Sequence, residues 1–352
     1  MAISVFKDIE VKGIAASVPK KKIMNLVDHT FCSENERKKI VNLTGVSEYR
    51  KTSPEVCASD LCEKAARRLI DDLALDPMSI EAVVFATMTP DYRIPSTACV
   101  LQDKLRLSRS TVAYDINMGC SGYVVGLYNA CSLIQGAGLK RVLLLAGDTQ
   151  SKLSYEKDKN VVFLLGDAGT ASLLEASAGS EDITIEIETD GSRFDKLFVP
   201  AGGFRKPSTE QTREVREQPD GGFRSEEHMY MDGMEIFKFS STDVVKSLSS
   251  FMENQGVTAE DVDFLVLHQA NKFMNDKIGR KLKFPMEKLP YSIEKYGNTA
   301  SASIPLTVVH NYGEVIPRGK VRCLLSGFGV GLSWGIVDIN LEEIHCPPVI
   351  EY

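Results

Sequence analysis

The sequence lacks the features that would mark a secreted, membrane-spanning or nucleic-acid-binding chain. Its first residues, Met1-Ala2-Ile3-Ser4-Val5-Phe6-Lys7, run at once into charge and form no signal peptide. No apolar run reaches the ~18 residues that a membrane helix needs. Positive charge is not in surplus: 41 Lys and Arg face 48 Asp and Glu, a net charge of −7. That balance excludes wholesale attraction to nucleic acid or an anionic membrane, so an acidic partner would need a local basic patch. The eight cysteines form no C-x-x-C pair and no Cys/His cluster with metal spacing, so neither a metal nor a cofactor is expected. Together these absences predict a cytoplasmic chain with reduced thiols. Cys131 and Cys323 lie in apolar runs and read as small core residues.

What is present is an alternation of strand and helix patterns. The 352 residues, 43% hydrophobic and 25% charged, suffice for two core-bearing units or one duplicated domain. Helices are predicted over 59–73, capped by Ser59 or Asp60, and over 96–105, 122–135, 232–253, 271–282 and 300–312. The 122–135 segment is almost free of charge and is expected to be buried on all sides, with Gly122, Gly126 and Ala130 forming a small-residue stripe. Short apolar strands are predicted over 82–86, 111–115, 142–146, 264–267, 321–325 and 332–339. Residues 204–227 break the pattern. They are rich in Arg, Glu, Gln, Pro and Gly and read as an exposed insertion.

The second half echoes the first. Gly119-Cys120 precedes a helix and then the strand at Val142, 22 positions on; Gly297-Asn298 precedes a helix and then the strand at Val321, 23 positions on. Ala82-Val83-Val84-Phe85-Ala86-Thr87 matches Asp263-Phe264-Leu265-Val266-Leu267-His268 in the same order. The echo suggests two similar α/β halves, 1–177 and 178–352. It puts Cys120 and Asn298 at equivalent helix starts, with His268 ending a strand beside them. A thiol there would feel the positive end of the helix dipole, which favours the nucleophilic thiolate. Taken singly, His268 reads as a structural histidine and Asn298 as a helix cap. Taken with Cys120, they read as a reactive set.

The segments TMTPDYRIPSTACVLQ (87–102), DINMGCSG (115–122), GDAG (166–169), MDGMEIFKF (231–239), HQAN (268–271), YGNT (296–299) and GFGVGLSWG (327–335) occur in family order along nearly the whole chain. On these residues the sequence resembles the thiolase-fold condensing enzymes, and most closely the β-ketoacyl-acyl carrier protein synthase III family. The resemblance implies a five-layer α-β-α-β-α fold and a homodimer. It also implies decarboxylative Claisen condensation of an acyl thioester primer with malonyl-carrier, in fatty acid or secondary-metabolite synthesis. Cys120 would carry the acyl group, while His268 and Asn298 would hold the enolate oxygen. The backbone N–H groups of Cys120 and Val330 would hold the tetrahedral oxyanion. Lys272, Lys277, Arg280 and Lys281 would dock an acyl carrier protein, and Ile94 would shape the acyl pocket across the dimer. Rival readings are acyl transfer to an alcohol or amine without elongation, and a non-catalytic partner subunit. The Gly327-x-Gly329-x-Gly331 run leads into a strand pattern, against a dinucleotide loop.

The chain departs from the family pattern at the entrance. Residues 38–43 read Lys-Lys-Ile-Val-Asn-Leu, without the Trp and Arg that help bind coenzyme A, and Phe273 stands where an Arg is usual. The expectation is that the primer, delivered on coenzyme A or on a carrier protein, is not simply acetyl-coenzyme A.

Overall fold

A computed structural model describes residues 3–352. Two mixed β-sheets form its frame. The first contains β2 (Ile9–Val18), β3 (Ala82–Ala86), β4 (Val112–Ile116), β5 (Arg141–Thr149), β6 (Asp167–Ala176) and β11 (Ile350–Glu351), in the order β11-β2-β6-β5-β3-β4. The second contains β1 (Ile3–Phe6), β7 (Ile183–Thr189), β8 (Phe264–Leu267), β9 (Lys320–Gly329) and β10 (Ser333–Glu342), in the order β1-β7-β10-β9-β8. Orientation repeats with order: β3 runs parallel to β5, which is antiparallel to β6, and β8 runs parallel to β9, which is antiparallel to β10. The terminal strands cross over, β1 pairing with β7 and β11 with β2.

Side-chain alternation explains the layers. On β3, Val83 and Phe85 face an outer layer made by the helices α2 (Ala58–Asp72) and α3 (Thr97–Lys104), while Ala82, Val84 and Ala86 face inward. On the second sheet, Leu265 and Leu267 of β8 face the opposite outer layer, built from α5 (Gly233–Phe239), α6 (Val245–Gln255) and α7 (Lys272–Lys281). Between the sheets lie α4 (Gly122–Ala137) and α8 (Ser303–Asn311), whose Tyr123, Leu127, Ile304 and Val308 join one core with both sheets. This is the five-layer α-β-α-β-α arrangement of the thiolase fold, reached because both sheets carry apolar residues on both faces.

The small-residue stripe has a physical cause. A Cβ on Gly126 would lie 2.5 Å from Leu144 Cδ1, so glycine lets the central helix press onto β5. Its neighbours show that α4 is not buried on all sides: Tyr128, Gln135 and Gly136 are exposed, while Ala130, Cys131 and Ile134 are buried in the shared core. α2 starts one residue earlier than its pattern suggests. Its N-cap is Cys57, whose N–H donates to the Asp60 carboxylate at 2.9 Å, so Asp60 acts from the third helical position. The predicted helix over 232–253 is α5 and α6 joined by a π-helical turn at Ser240–Val244 and capped by Asp232.

The 204–227 segment is more anchored than its composition suggests. It holds a short helix, Glu210–Arg213, and a two-stranded ribbon pairing Arg216–Glu217 with Phe223–Arg224. Thr212, Arg224 and Ser225 are buried, and Arg224 pairs with Asp220 and with buried Asp158.

Candidate active site

Strand β4 delivers the chain to a tight turn in which the Gly122 N–H donates to the Gly119 carbonyl at 2.7 Å, and α4 follows. Cys120 sits in that turn, just before the N-cap Ser121, and is buried. The end of β9 closes over it. A Cβ on Gly329 would lie 2.6 Å from Cys120 Sγ, and one on Gly327 would lie 2.9 Å from the Cys120 carbonyl. Only glycine permits so close an approach of strand to thiol. Burial pushes the thiol up to about 12, against the pull of the Val330 N–H and the residue's own N–H. The helix tip predicted a thiolate. Burial works against that thiolate and favours the neutral thiol.

His268 follows β8, held by its N–H to the Ser326 carbonyl at 2.8 Å and by Asn275 Nδ2, which donates to the His268 carbonyl at 3.0 Å. Its ring is buried edge-on to Phe328, with centroids 5.5 Å apart, and Nδ1 lies 2.7 Å from Ser303 Oγ. Burial drives its pKa down to about 3, while the Ala300 carbonyl pulls the other way. The imidazole is therefore neutral. Nδ1 and the Ser303 hydroxyl share a hydrogen bond in which either group can donate.

Asn298 is fixed through its backbone. Its N–H donates to the Leu164 carbonyl at 2.7 Å, and its own carbonyl accepts from the Gly166 N–H at 2.8 Å and from Gln150 Nε2 at 2.7 Å. Gly297 before it has φ +67°, and a Cβ there would meet the Leu164 carbonyl at 2.7 Å. Asn298 is not a plain cap of an α-helix. A 3₁₀ turn, Ala300–Ala302, intervenes before α8, and Asn298 Oδ1 accepts the Ala300 N–H at 2.9 Å.

These contacts form a chain. Gly329 abuts Cys120, the adjacent Phe328 packs on His268, and the Ala300–Ser303 turn touches both His268 and Asn298. Thiol, imidazole and amide are gathered at one end of β9. Both strand and turn carry donors, so the arrangement can hold a thioester on sulfur and stabilise negative oxygen beside it. Two residues escaped sequence reasoning. Ser303 hydrogen-bonds the His268 ring through its hydroxyl. Asp148, fully buried at the end of β5, accepts from Thr87, Met88, Thr89 and Ser301. The available signal was a lone carboxylate closing the apolar run Val142-Leu143-Leu144-Leu145-Ala146-Gly147.

The peripheral candidates lie on the surface. Ile94 is 87% exposed. On α7, Lys272 pairs with Asp276 and lies over the Tyr291 ring, Lys277 lies over Phe237, and Lys281 donates to the Ser241 carbonyl. Arg280 is exposed. Phe273 stacks on Phe237 with centroids 5.6 Å apart.

Comparison with known proteins matches residues 114–191 to the family 3-oxoacyl-[acyl-carrier-protein (ACP)] synthase III, and residues 252–341 to the family's C-terminal region. A β-ketoacyl-[acyl-carrier-protein] synthase III of Caldanaerobacter subterraneus is 32% identical over 326 residues, spanning 92% of this chain and 95% of its own length. The crystal structure of a 3-oxoacyl-(acyl-carrier protein) synthase from Burkholderia xenovorans superimposes with a TM-score of 0.92 at 35% identity, covering 100% of this chain and 99% of its own. The priming β-ketosynthase of the R1128 polyketide pathway superimposes with a TM-score of 0.81 at 25% identity, covering 97% and 98%.

Proposed function

The chain belongs to the 3-oxoacyl-[acyl-carrier-protein] synthase III family of condensing enzymes, and on that premise we propose that Cys120, His268 and Asn298 carry out a decarboxylative Claisen condensation. The observation that carries the assignment is the gathering of these three side chains at one end of β9, with the Val330 N–H directed at the thiol.

In the first half-reaction the Cys120 sulfur attacks the carbonyl carbon of an acyl thioester. The acyl–sulfur bond of the donor breaks, and the Cys120 proton ends on the departing thiol. In the second, the bond between the malonyl methylene and its carboxylate breaks and CO2 leaves. The electron pair passes into an enolate whose oxygen is held by His268 Nε2–H and Asn298 Nδ2–H. A neutral imidazole suits this role, since it donates without needing a proton from solvent. The enolate carbon attacks the acyl-Cys120 carbon, and the Cys120 and Val330 N–H groups hold the resulting oxyanion. Collapse expels the Cys120 thiolate, which takes up one proton, and releases the β-ketoacyl carrier.

The malonyl group arrives on an acyl carrier protein, docked on the cationic side chains of α7. Arg280 serves as a long-range attractor, because Lys272, Lys277 and Lys281 are already engaged. We read the chain as a homodimer in which Ile94 completes the partner's acyl pocket, consistent with its exposure and with the open edge of β4. The primer is larger than acetyl or carrier-borne, given Phe273 and the absence of Trp and Arg before Thr44-Gly45. The shared strand order supports two repeats dividing near residue 177. Among the described residues no helix is long and apolar enough to cross a membrane, and all eight cysteines are unpaired, as suits a reducing cytoplasm.

Intact-protein mass spectrometry with a panel of acyl donors, followed by CO2 release from malonyl-carrier, tests the assignment. An adduct that disappears in Cys120→Ala is expected. In His268→Ala the adduct should form but condensation should fail. Acylation that persists in Cys120→Ala would move the nucleophile elsewhere.

A further inference from the structure

The two oxygens of Asp148 face different parts of the chain. Oδ1 accepts from the Met88 N–H at 2.8 Å, from Thr87 Oγ1 at 3.1 Å and from Thr89 Oγ1 at 3.3 Å. Oδ2 accepts from Ser301 Oγ at 2.6 Å and from the Ser301 N–H at 3.1 Å. The first set lies beside the acyl-bearing cysteine: a Cβ on Gly119 would meet Met88 Sδ at 2.9 Å. The second set lies inside the Ala300–Ala302 turn, whose Ala300 N–H is bound by Asn298 and whose Ala300 carbonyl acts on His268. The start of α4 packs on the second set, since a Cβ on Gly122 would meet Ser301 Cβ at 3.0 Å.

A carboxylate buried among neutral donors, with no cation beside it, is costly to keep, and an apolar side chain of similar size would pack the same space. Hydrogen bonds to a charged acceptor are shorter and stronger than neutral ones, which favours such a group where geometry must be rigid. We propose that Asp148 is a positioning residue that holds the cysteine loop and the asparagine–histidine turn at a fixed separation, so that the acyl carbon and the enolate carbon meet. The inference rests on the condensation proposed above. Each oxygen governs one half-reaction: Oδ1 the seat of the acyl-cysteine, Oδ2 the seat of the enolate donors. Misplacement by about 1 Å is enough to lower a rate by about a hundredfold.

Two small substitutions separate the arms. Ser301→Ala removes one bond to Oδ2, and Thr87→Val removes one bond to Oδ1 with little change of shape. Single-turnover acylation of Cys120 is followed by intact mass, and CO2 release from malonyl-carrier is measured on pre-acylated protein. Ser301→Ala should slow CO2 release at least about tenfold while acylation stays within about twofold, and Thr87→Val should slow acylation more than CO2 release. Asp148→Asn, which keeps an acceptor on only one oxygen, should slow both. The inference is overturned if Ser301→Ala and Thr87→Val lower both rates by one common factor that follows the loss in melting temperature, or lower neither. If the unaltered chain neither takes an acyl group nor releases CO2, the proposed condensation fails first, and this inference fails with it.

Discussion

The side-chain oxygen of Asn298 accepts the Ala300 N–H at 2.9 Å, which commits one end of the amide to the protein and leaves Nδ2 as the donor free for a substrate. The backbone of Asn298 is tied on both sides to the Leu164–Gly166 segment, so the free donor has little room to turn.

Asn298→Asp tests that donor with almost no change of shape. The carboxylate still accepts from Ala300, but it presents an acceptor where the enolate oxygen should lie. Removing one such donor costs on the order of 10²–10³ in rate. CO2 release from malonyl-carrier should fall by that factor, while acylation of Cys120 changes only a few-fold. Equal losses in both steps would show that Asn298 serves the fold rather than the enolate.

The neutral state of His268 sets a pH signature on stability. Burial lowers its pKa from 6.5 to about 3 in the folded chain. Between those values the unfolded chain binds a proton that the folded chain refuses. The stability contribution is therefore complete above about pH 6.5 and is lost as pH falls toward 3, by up to about 1.4 kcal/mol per pH unit. Buried His29, lowered to about 4, acts with the same sign. Asp148 acts oppositely: burial raises it from 3.8 to about 6, so its contribution is present at low pH and lost as pH rises through 6. Comparing melting temperatures of the parent and of His268→Gln from pH 7 to pH 4 isolates the histidine. The parent should fall more steeply, and parallel curves would mean that His268 titrates at the same pH in the folded and the unfolded chain.

The resting thiol gives a second pH signature. With burial pushing Cys120 up to about 12, the thiolate fraction at neutral pH is small and grows about tenfold per pH unit. Alkylation of Cys120 by a small reagent, resolved by peptide mass spectrometry, should accelerate in that way from pH 7 to pH 10. A rate that levels off below pH 9 would restore the helix-tip thiolate. In that event the dipole at α4 would outweigh desolvation.

The central strands and helices were legible because their period is strong. Ala82–Ala86 and Phe264–Leu267 fall where the apolar runs place them, and the echo between the halves anticipated the matching sheet orders. The strands Ile9–Val18, Asp167–Ala176 and Ile183–Thr189 escaped. Gly13, Ser17, Gly169, Thr170 and Glu186 interrupt their apolar patterns, and cross-strand pairing that local sequence does not display holds them in place. The helix Glu34–Thr44 has no buried residue, so it offered little apolar periodicity to read. At the site, Cys120, His268 and Asn298 were singled out together by their places in the internal repeat and by the family resemblance, because each alone reads as an ordinary structural residue. The burial of the thiol, the Ser303 contact to His268 and the hydrogen bonds of Asp148 arise from contacts between distant segments, which no local pattern encodes.

The close packing of Gly329 against Cys120 yields the sharpest steric prediction for the thiol. A methyl group on residue 329 would lie 2.6 Å from both Cβ and Sγ of the cysteine, well inside van der Waals contact. Neither side can yield easily: Gly329 ends β9, paired to Ser333 of β10, and Cys120 sits in the turn closed by Gly119 and Gly122. Gly329→Ala should therefore displace the sulfur or the Val330 N–H beside it. Acylation should drop by about two orders of magnitude, as expected when a reacting atom moves by about 1 Å. Gly136→Ala provides the control, because nothing lies within 4 Å of a Cβ there and the substitution should leave acylation unchanged. Circular dichroism and melting curves of the two variants establish that both fold. A folded Gly329→Ala chain that acylates at the parent rate would show that the thiol reacts from a position other than the one seen beneath β9.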